Sequence, residues 1–167
     1  MQKLDIYKRI SGIQNEEEYD DMLEELMDRF GELPKAVQNL LLVSRLRAQA
    51  HDLYLTEVTQ KGEEIRMVLY EKAQINTAGI DGLLKQYRGR LKFTIDKNPY
   101  FLYIRQKKGN REVDNVLDTV RDLLADMDAI YYVNHTRSGL MGDALYSYYL
   151  NTASSVRFTH FINGRSF

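Results

Sequence analysis

Four carboxylates recur at three- and four-residue spacing in an acidic stretch near the start of the chain. They are Glu18, Asp21, Glu25 and Asp28. In a helix this spacing places the side chains along one side. Such a row can dock on a basic partner, can be an ordinary solvated helix face, or can supply paired carboxylates for acid–base chemistry. Catalysis is the least favoured of the three, because exposed helix acids lack the burial that shifts the pKa of a carboxyl group.

A second group of side chains combines cations with aromatic rings. The cations are Arg88, Arg90, Lys92, Arg105, Lys107, Lys108 and Arg111, and the rings are Tyr87, Phe93, Phe101 and Tyr103. A sheet face with both can hold phosphates and stack bases, so these residues could form a nucleic-acid-binding module. The simpler interpretation is a solvated basic face. It is favoured because Phe93 alternates with Leu91 and Ile95, and all three are therefore expected to point into the core.

The sequence contains no motif for independent catalysis. Neither the G-x-x-x-x-G-K-S/T nor the G-x-G-x-x-G spacing occurs, so we expect no nucleotide hydrolysis by this chain. His51, His135 and His160 are far apart and there is no cysteine. We therefore predict no catalytic residue, no metal site and no cofactor.

Overall composition argues against a general attraction to nucleic acid or membrane. The 167 residues include 23 basic and 24 acidic side chains, for a formal net charge of −1. Any charged partner must therefore recognise a local patch. No apolar run is long enough to span a bilayer, and the first residues do not form a signal peptide. We expect a cytoplasmic domain without membrane contact.

The acidic row is positioned by a helix that ends at a glycine–proline corner. Apolar residues at helical spacing lead up to Phe30, which is predicted to be in the core. Gly31 then supplies the left-handed position that commonly closes a helix. Pro34 suits the first turn of a second helix, predicted to run to about Leu53 and to be apolar around most of its circumference. Arg29 is expected to stabilise the corner through an ion pair or through hydrogen bonds to carbonyls.

The rest of the chain predicts strand pairs alternating with helices. Alternating residues around Lys61-Gly62 and on both sides of Asp96-Lys97-Asn98-Pro99 indicate two hairpins, each followed by a helical pattern. The expected fold class is α+β, with helices packed on an antiparallel sheet made of two strand pairs, in the order α-α-β-β-α-β-β-α. The predicted divisions are a helical N-terminal part at 1–53, an α/β part of the same domain at 54–128, and a tail of uncertain structure at 129–167.

Three segments then point to a known family. They are Leu4-Asp5-Ile6-Tyr7-Lys8-Arg9-Ile10, Glu25-Leu26-Met27-Asp28-Arg29-Phe30-Gly31-Glu32-Leu33-Pro34 and Asn39-Leu40-Leu41-Leu42-Val43-Ser44-Arg45-Leu46-Arg47. In this order and spacing they resemble the C-terminal domain of bacterial transcription-repair coupling factor. The resemblance is strong over about the first third of the chain and extends loosely to Met127.

The resemblance implies a non-catalytic regulatory interaction domain of a DNA repair motor ATPase. Such a domain acts as an autoinhibitory clamp: it contacts the N-terminal excinuclease-B-like module of the same polypeptide and masks the excinuclease-A-binding surface. RNA polymerase and DNA are partners of upstream parts of the parent protein, and no DNA contact is expected of this domain.

A clamp of this kind gives the acidic row a specific role. We expect Asp21, Glu25 and Asp28 to pair with arginines on the partner module, since rim charge pairs of modest strength suit a tethered contact that must release. Two alternatives stay open. One is the nucleic-acid-binding module built on the basic strand pair, and the other is an unrecognised hydrolase, which would require a pocket with a polarised nucleophile or metal.

Overall fold

Three helices form the N-terminal part of the chain. The computed structural model describes residues 2–71, 77–106, 116–134 and 156–159. The first three helices are α1 (Gln2–Ser11), α2 (Glu16–Phe30) and α3 (Lys35–Asp52). The expected N-cap of α2 is present, because the side chain of Asn15 accepts a hydrogen bond of 2.9 Å from the backbone N–H of Glu18.

The remaining described elements are five strands and two helices. The strands are β1 (Leu55–Lys61), β2 (Glu64–Leu69), β3 (Leu91–Thr94), β4 (Tyr100–Ile104) and β5 (Arg157–Thr159), and the helices are α4 (Thr77–Gln86) and α5 (Val116–Asn134). They form one sheet in the order β3-β4-β2-β1-β5. Both predicted hairpins pair antiparallel, and β2 joins β4 antiparallel, which merges the two pairs. The α+β class is confirmed.

The fifth strand is an addition to the predicted element order. β5 pairs parallel with β1, placing Phe158 beside Val58 and Arg157 beside Glu57. It lies within residues 129–167, the range whose structure the sequence leaves undetermined. Two parallel strands that are far apart in the sequence are not joined by a hairpin. No local turn motif therefore predicts that they pair. The boundary expected at residue 128 falls inside α5.

The main core lies between one face of the sheet and helices α3, α4 and α5. Alternate strand residues supply the sheet side, as predicted for Ile65, Met67 and Leu69, all of which are buried. A smaller cluster lies on the other side of α3, where α1 and α2 pack through Ile10, Met22 and Leu26, among others. Helix α3 contributes to both clusters, which confirms that its nearly continuous apolar surface is buried between other elements.

One predicted core residue lies outside the core. Ile95 was expected to point inwards with Leu91 and Phe93, yet it is 78% exposed. The reason is that β3 ends at Thr94, so the alternation that buries Leu91 no longer applies when the chain enters the turn before Pro99. Phe93 itself is half-buried and packs on Phe101, with 4.8 Å between ring centroids.

Candidate interaction surface on the second helix

Packing and capping together fix which side of α2 faces solvent. Met22 and Leu26 are buried against α1 and α3, so the opposite side of the helix must point outwards. At the N-terminus, an Oε atom of Glu18 accepts a hydrogen bond of 2.8 Å from the backbone N–H of Gln14. Glu18 therefore helps to define the start of the helix, in the manner of a capping box. This role separates it from the rest of the acidic row.

Glu25 is already neutralised within the domain. Arg9 of α1 donates two parallel hydrogen bonds to its carboxylate, of 2.8 and 2.5 Å, and Arg29 donates a third of 3.2 Å. These contacts, mainly the hydrogen bonding from Arg9, lower the pKa of Glu25 from its usual value near 4.5 to about 2. The sequence predicted that Glu25 pairs with arginines of a partner. In this structure it is already paired within the domain, because α1 brings an arginine to it from 16 residues away.

Asp21 and Asp28 are in a different situation. Both are exposed, and in the part of the chain that the structure describes neither makes an ion pair or a side-chain hydrogen bond. Glu24 is exposed between them, and these carboxylates line a shallow surface depression together with Glu25 and Met27. We call Asp21, Glu24 and Asp28 the acidic face. It presents three negative charges within two helical turns.

The corner after α2 has the predicted glycine but a different distribution of buried residues. Gly31 has φ 72° and ψ −135°, and its N–H donates a 2.8 Å hydrogen bond to the carbonyl of Met27. Pro34 is the N-cap of α3, one residue before the helix begins. Phe30 was expected in the core but is 52% exposed, with the Arg29 guanidinium 5.3 Å from its ring centroid. The turn at Gly31 brings Leu33 back into the small cluster instead.

A partly apolar groove adjoins the acidic face. It has a volume of about 590 Å³ and lies between α2, α3 and α5. Leu23, Met27 and Leu42 supply apolar surface, and Met27 is 52% exposed. Lys35 and Arg121 are among its polar lining residues. Acidic and apolar surfaces therefore meet along the side of α2.

The basic and aromatic group predicted around β3 and β4 does not form one patch. Arg90 lies beside Tyr103, its guanidinium 5.9 Å from the ring centroid, whereas Lys92 is exposed on the opposite side of the strand. Tyr87 donates a short hydrogen bond to Asp126, and burial together with this carboxylate raises the pKa of the tyrosine. Lys107, Lys108 and Arg111 lie outside the described residues.

Sequence reasoning assigned no role to Arg9, which pairs with Glu25 and lowers the pKa of its carboxyl group. Its only sequence signal is a place within the first of the three segments that resemble the family, and nothing in helical periodicity links two residues on different helices.

Among the described residues, no group of three or more potential metal ligands comes together. Across the same ranges, no helix is long and apolar enough to cross a membrane.

Comparison with known proteins places these features in a family. Residues 1–80, which include α1, α2, α3 and the first hairpin, match the TRCF domain family model. These residues belong to the TRCF domain family. A crystal structure of the C-terminal domain of transcription-repair coupling factor superposes with a TM-score of 0.61 at 25% identity, covering 80% of this chain and 83% of that one.

Curated TRCF proteins show the same relationship at the sequence level. The transcription-repair-coupling factor of Bacillus subtilis (strain 168) is 32% identical over 128 residues, 74% of this chain and 10% of the relative. The Escherichia coli (strain K12) protein of the same name is 38% identical over 104 residues, 56% of this chain and 9% of the relative. The chain thus spans about a tenth of the length of these relatives. In both sequence and fold it is similar to the C-terminal domain of transcription-repair coupling factor.

Proposed function

We propose that this chain is the regulatory C-terminal clamp of a transcription-coupled DNA repair motor ATPase. In this proposal it holds the N-terminal excinuclease-B-like module of the same cytoplasmic polypeptide. While docked, it masks the excinuclease-A-binding surface. ATP hydrolysis, DNA translocation and RNA polymerase contact belong to other parts of the parent protein, and the chain itself is not an enzyme.

The acidic face is the observation that supports this proposal. Asp21, Glu24 and Asp28 are exposed at helical spacing, and no cation within the described residues neutralises them. A single exposed charge pair contributes about 0.2–1 kcal/mol. A partner tethered to the same polypeptide is present at high effective concentration, so a few such pairs suffice to hold it and still permit release.

Glu25 contributes to the surface in a different way from its neighbours. Its pairing with Arg9 and Arg29 holds α1 beside α2 and fixes the helix that carries Asp21 and Asp28. A partner cation can reach Glu25 only by sharing or displacing Arg9. We therefore assign the first contact with partner arginines to Asp21 and Asp28, and treat Glu25 as a secondary contact.

The adjoining groove extends the same surface with apolar area. Met27 is half-exposed at its edge, and Leu23 and Leu42 line it. Charge pairs at a rim mainly govern the rate and orientation of encounter, whereas burial of apolar area prolongs the complex. A partner segment with arginines beside an apolar side chain would match both parts.

The test uses the full-length parent protein and a charge reversal at the two free aspartates. Asp21→Lys with Asp28→Lys should weaken docking, so ATPase activity and binding of the excinuclease-A protein should both rise. Separately produced, this chain should bind the excinuclease-B-like module at least tenfold more weakly when it has the same two changes. Calorimetric titration gives the affinities, and a steady-state ATPase assay gives the activity.

A matched control places the same charge change elsewhere. Glu71→Lys with Asp81→Lys also converts two exposed acids, on the turn after β2 and on α4, and should leave docking unchanged. Circular dichroism checks that both double variants remain folded. The proposal is rejected if the aspartate reversal alters neither ATPase activity nor module binding, or if the control pair has the same effect.

A further inference from the structure

The sheet has a face on which the described helices do not pack. Helices α3, α4 and α5 cover the face that contains Ile65, Met67 and Phe101. Strand alternation therefore directs the intervening residues to the other side. Five of them define what we call the outer sheet face: Arg66, Lys92, Tyr100, Leu102 and Arg157.

Strand register brings these five residues into two neighbouring rows. Lys92, Leu102 and Arg66 are successive partners across β3, β4 and β2. In the next row, Tyr100 pairs with Val68, Val68 pairs with Glu57, and Glu57 pairs with Arg157. Neighbouring strands are about 4.8 Å apart, so Lys92 and Arg66 start about 10 Å from each other. Cations are thus spread across the whole width of the sheet.

None of these three cations has a carboxylate partner among the described residues, whereas four arginines of the helical layer do. Among the described residues, Arg9 and Arg29 pair with Glu25, Arg45 pairs with Glu16, and Arg121 pairs with Asp118. By contrast Arg66, Lys92 and Arg157 are exposed and make no ion pair within the described ranges.

Two acids lie on the same face without neutralising it. A carboxylate oxygen of Glu57 accepts a 2.9 Å hydrogen bond from the hydroxyl of Thr59. Glu64 lies at the end of β2, opposite Ile104. The three cations outnumber these two acids, so the face retains a positive charge even though the chain as a whole has a formal net charge of −1.

At the centre of the face an arginine contacts an aromatic ring. The guanidinium of Arg66 lies over the ring of Tyr100, 4.0 Å from its centroid. Leu102, the strand partner of Arg66, is half-exposed and adds apolar surface beside the stack. Aromatic rings and guanidinium groups are surfaces on which an unpaired base can stack, while flanking cations hold phosphates.

We propose that the outer sheet face binds single-stranded nucleic acid. The Arg66–Tyr100 stack receives a base, and Lys92 and Arg157 contact the phosphates on either side. An unpaired strand is favoured over a duplex because stacking requires a base that is not already in a helix. An acidic peptide would match the charge but would make no use of the Arg66–Tyr100 pair as a stacking surface. The site is separate from the acidic face, which lies on α2 beyond α3, so it does not depend on the proposed clamp.

Binding of a fluorescently labelled twelve-nucleotide oligothymidylate by the 167-residue chain, followed by anisotropy, tests this proposal. The chain should bind in 50 mM salt, with a slope of log K against log salt of about −1.4 for two phosphate contacts on a single strand. Arg66→Gln with Lys92→Gln should weaken binding at least tenfold. The matched control Lys85→Gln with Arg121→Gln removes two cations from the helical layer and should change binding less than twofold.

Four results would overturn the proposal. They are no binding at 50 mM salt, an equal loss of affinity in the control pair, binding of a duplex of the same length at least as tight, and full displacement of the oligonucleotide by an equimolar polyglutamate peptide. Circular dichroism melting establishes that both variants are folded. Because Asp21→Lys with Asp28→Lys should not weaken oligonucleotide binding, failure here is distinguishable from failure of the clamp proposal.

Discussion

At the scale of single residues, equal spacing in the sequence does not give equal roles. Glu18, Asp21, Glu25 and Asp28 follow one helical pattern, but the first accepts a bond from the backbone of Gln14 and the third is held by Arg9. Only the two aspartates have neither contact among the described residues. The difference between Glu25 and the two aspartates comes from the position of α1, which lies on the Glu25 side of α2. Within the described residues, two of the four carboxylates in the row are therefore free of such contacts.

The pairing of Glu25 predicts a specific pH dependence of stability. Its pKa is lowered to about 2 in the folded protein from a usual value near 4.5. The stabilisation is therefore fully present above pH 4.5 and is lost as the pH falls through about 2. Glu25→Gln should lower the free energy of unfolding at pH 7, and the difference from the original protein should shrink as the pH approaches 2. Urea unfolding across this range measures it.

A double-mutant cycle with Arg9 provides the control for this prediction. Arg9→Gln should show most of the same loss at pH 7, since Arg29 still pairs with Glu25 in this variant. Adding Arg9→Gln to Glu25→Gln should change stability little, because the interaction is already gone. Parallel pH curves for the original protein and Glu25→Gln would contradict the assigned ion pair.

At the scale of elements, the corner between α2 and α3 depends on one backbone conformation. Gly31 has a positive φ with an extended ψ, a combination that is essentially restricted to glycine. The chain turns there, so Leu33 enters the small cluster and Phe30 remains half-exposed. Helical periodicity predicted Phe30 as buried because the pattern does not show where α2 stops contacting its neighbours.

Gly31→Ala should therefore destabilise the domain by about 1–3 kcal/mol. Gly82→Ala is a matched control: an added Cβ meets nothing within 4 Å at either position, but Gly82 lies within α4 without a positive φ. Alanine there should be stabilising by about 0.5–1 kcal/mol. Urea unfolding of the two variants gives the comparison. If both substitutions change the free energy of unfolding equally, the backbone conformation at Gly31 does not disfavour alanine and the prediction is wrong.

At the scale of the whole molecule, helix α3 joins two layers of opposite character. The acidic face lies on α2, which packs on one side of α3, while the sheet lies on the other side with its cations directed outwards. Residues from both ends of the sequence contribute to this arrangement. Helix α2 comes from the first thirty residues, and β5, at residues 157–159, adds to the sheet beside β1. Phe158 is fully buried there.

Removing the Phe158 ring should consequently destabilise the entire sheet core. Phe158→Ala should lower the free energy of unfolding by about 3–5 kcal/mol, as for other large aromatic residues in cores. Ile95→Ala removes apolar atoms from a residue that is 78% exposed and should change stability by less than about 0.5 kcal/mol. Equilibrium unfolding in urea measures both. A loss below about 1 kcal/mol for Phe158→Ala would mean that β5 is not an integral part of the core.

The sequence by itself determined the features that depend on neighbouring residues. The Asn15 cap, the glycine at the end of α2, the buried side of β2 and both hairpins follow from local periodicity and turn chemistry, because helical and strand repeats are short enough to be visible along the chain. The three segments around the corner also sufficed to indicate the family.

Only the tertiary structure decided which distant residues meet. It placed Arg9 against Glu25, left Ile95 and Phe30 exposed, added β5 beside β1, and put Lys92 in the same row as Arg66. Each of these outcomes depends on how two elements pack or pair across a long sequence separation. A repeat within one element contains no information about that choice, since packing is decided by the shapes and charges of all the elements together.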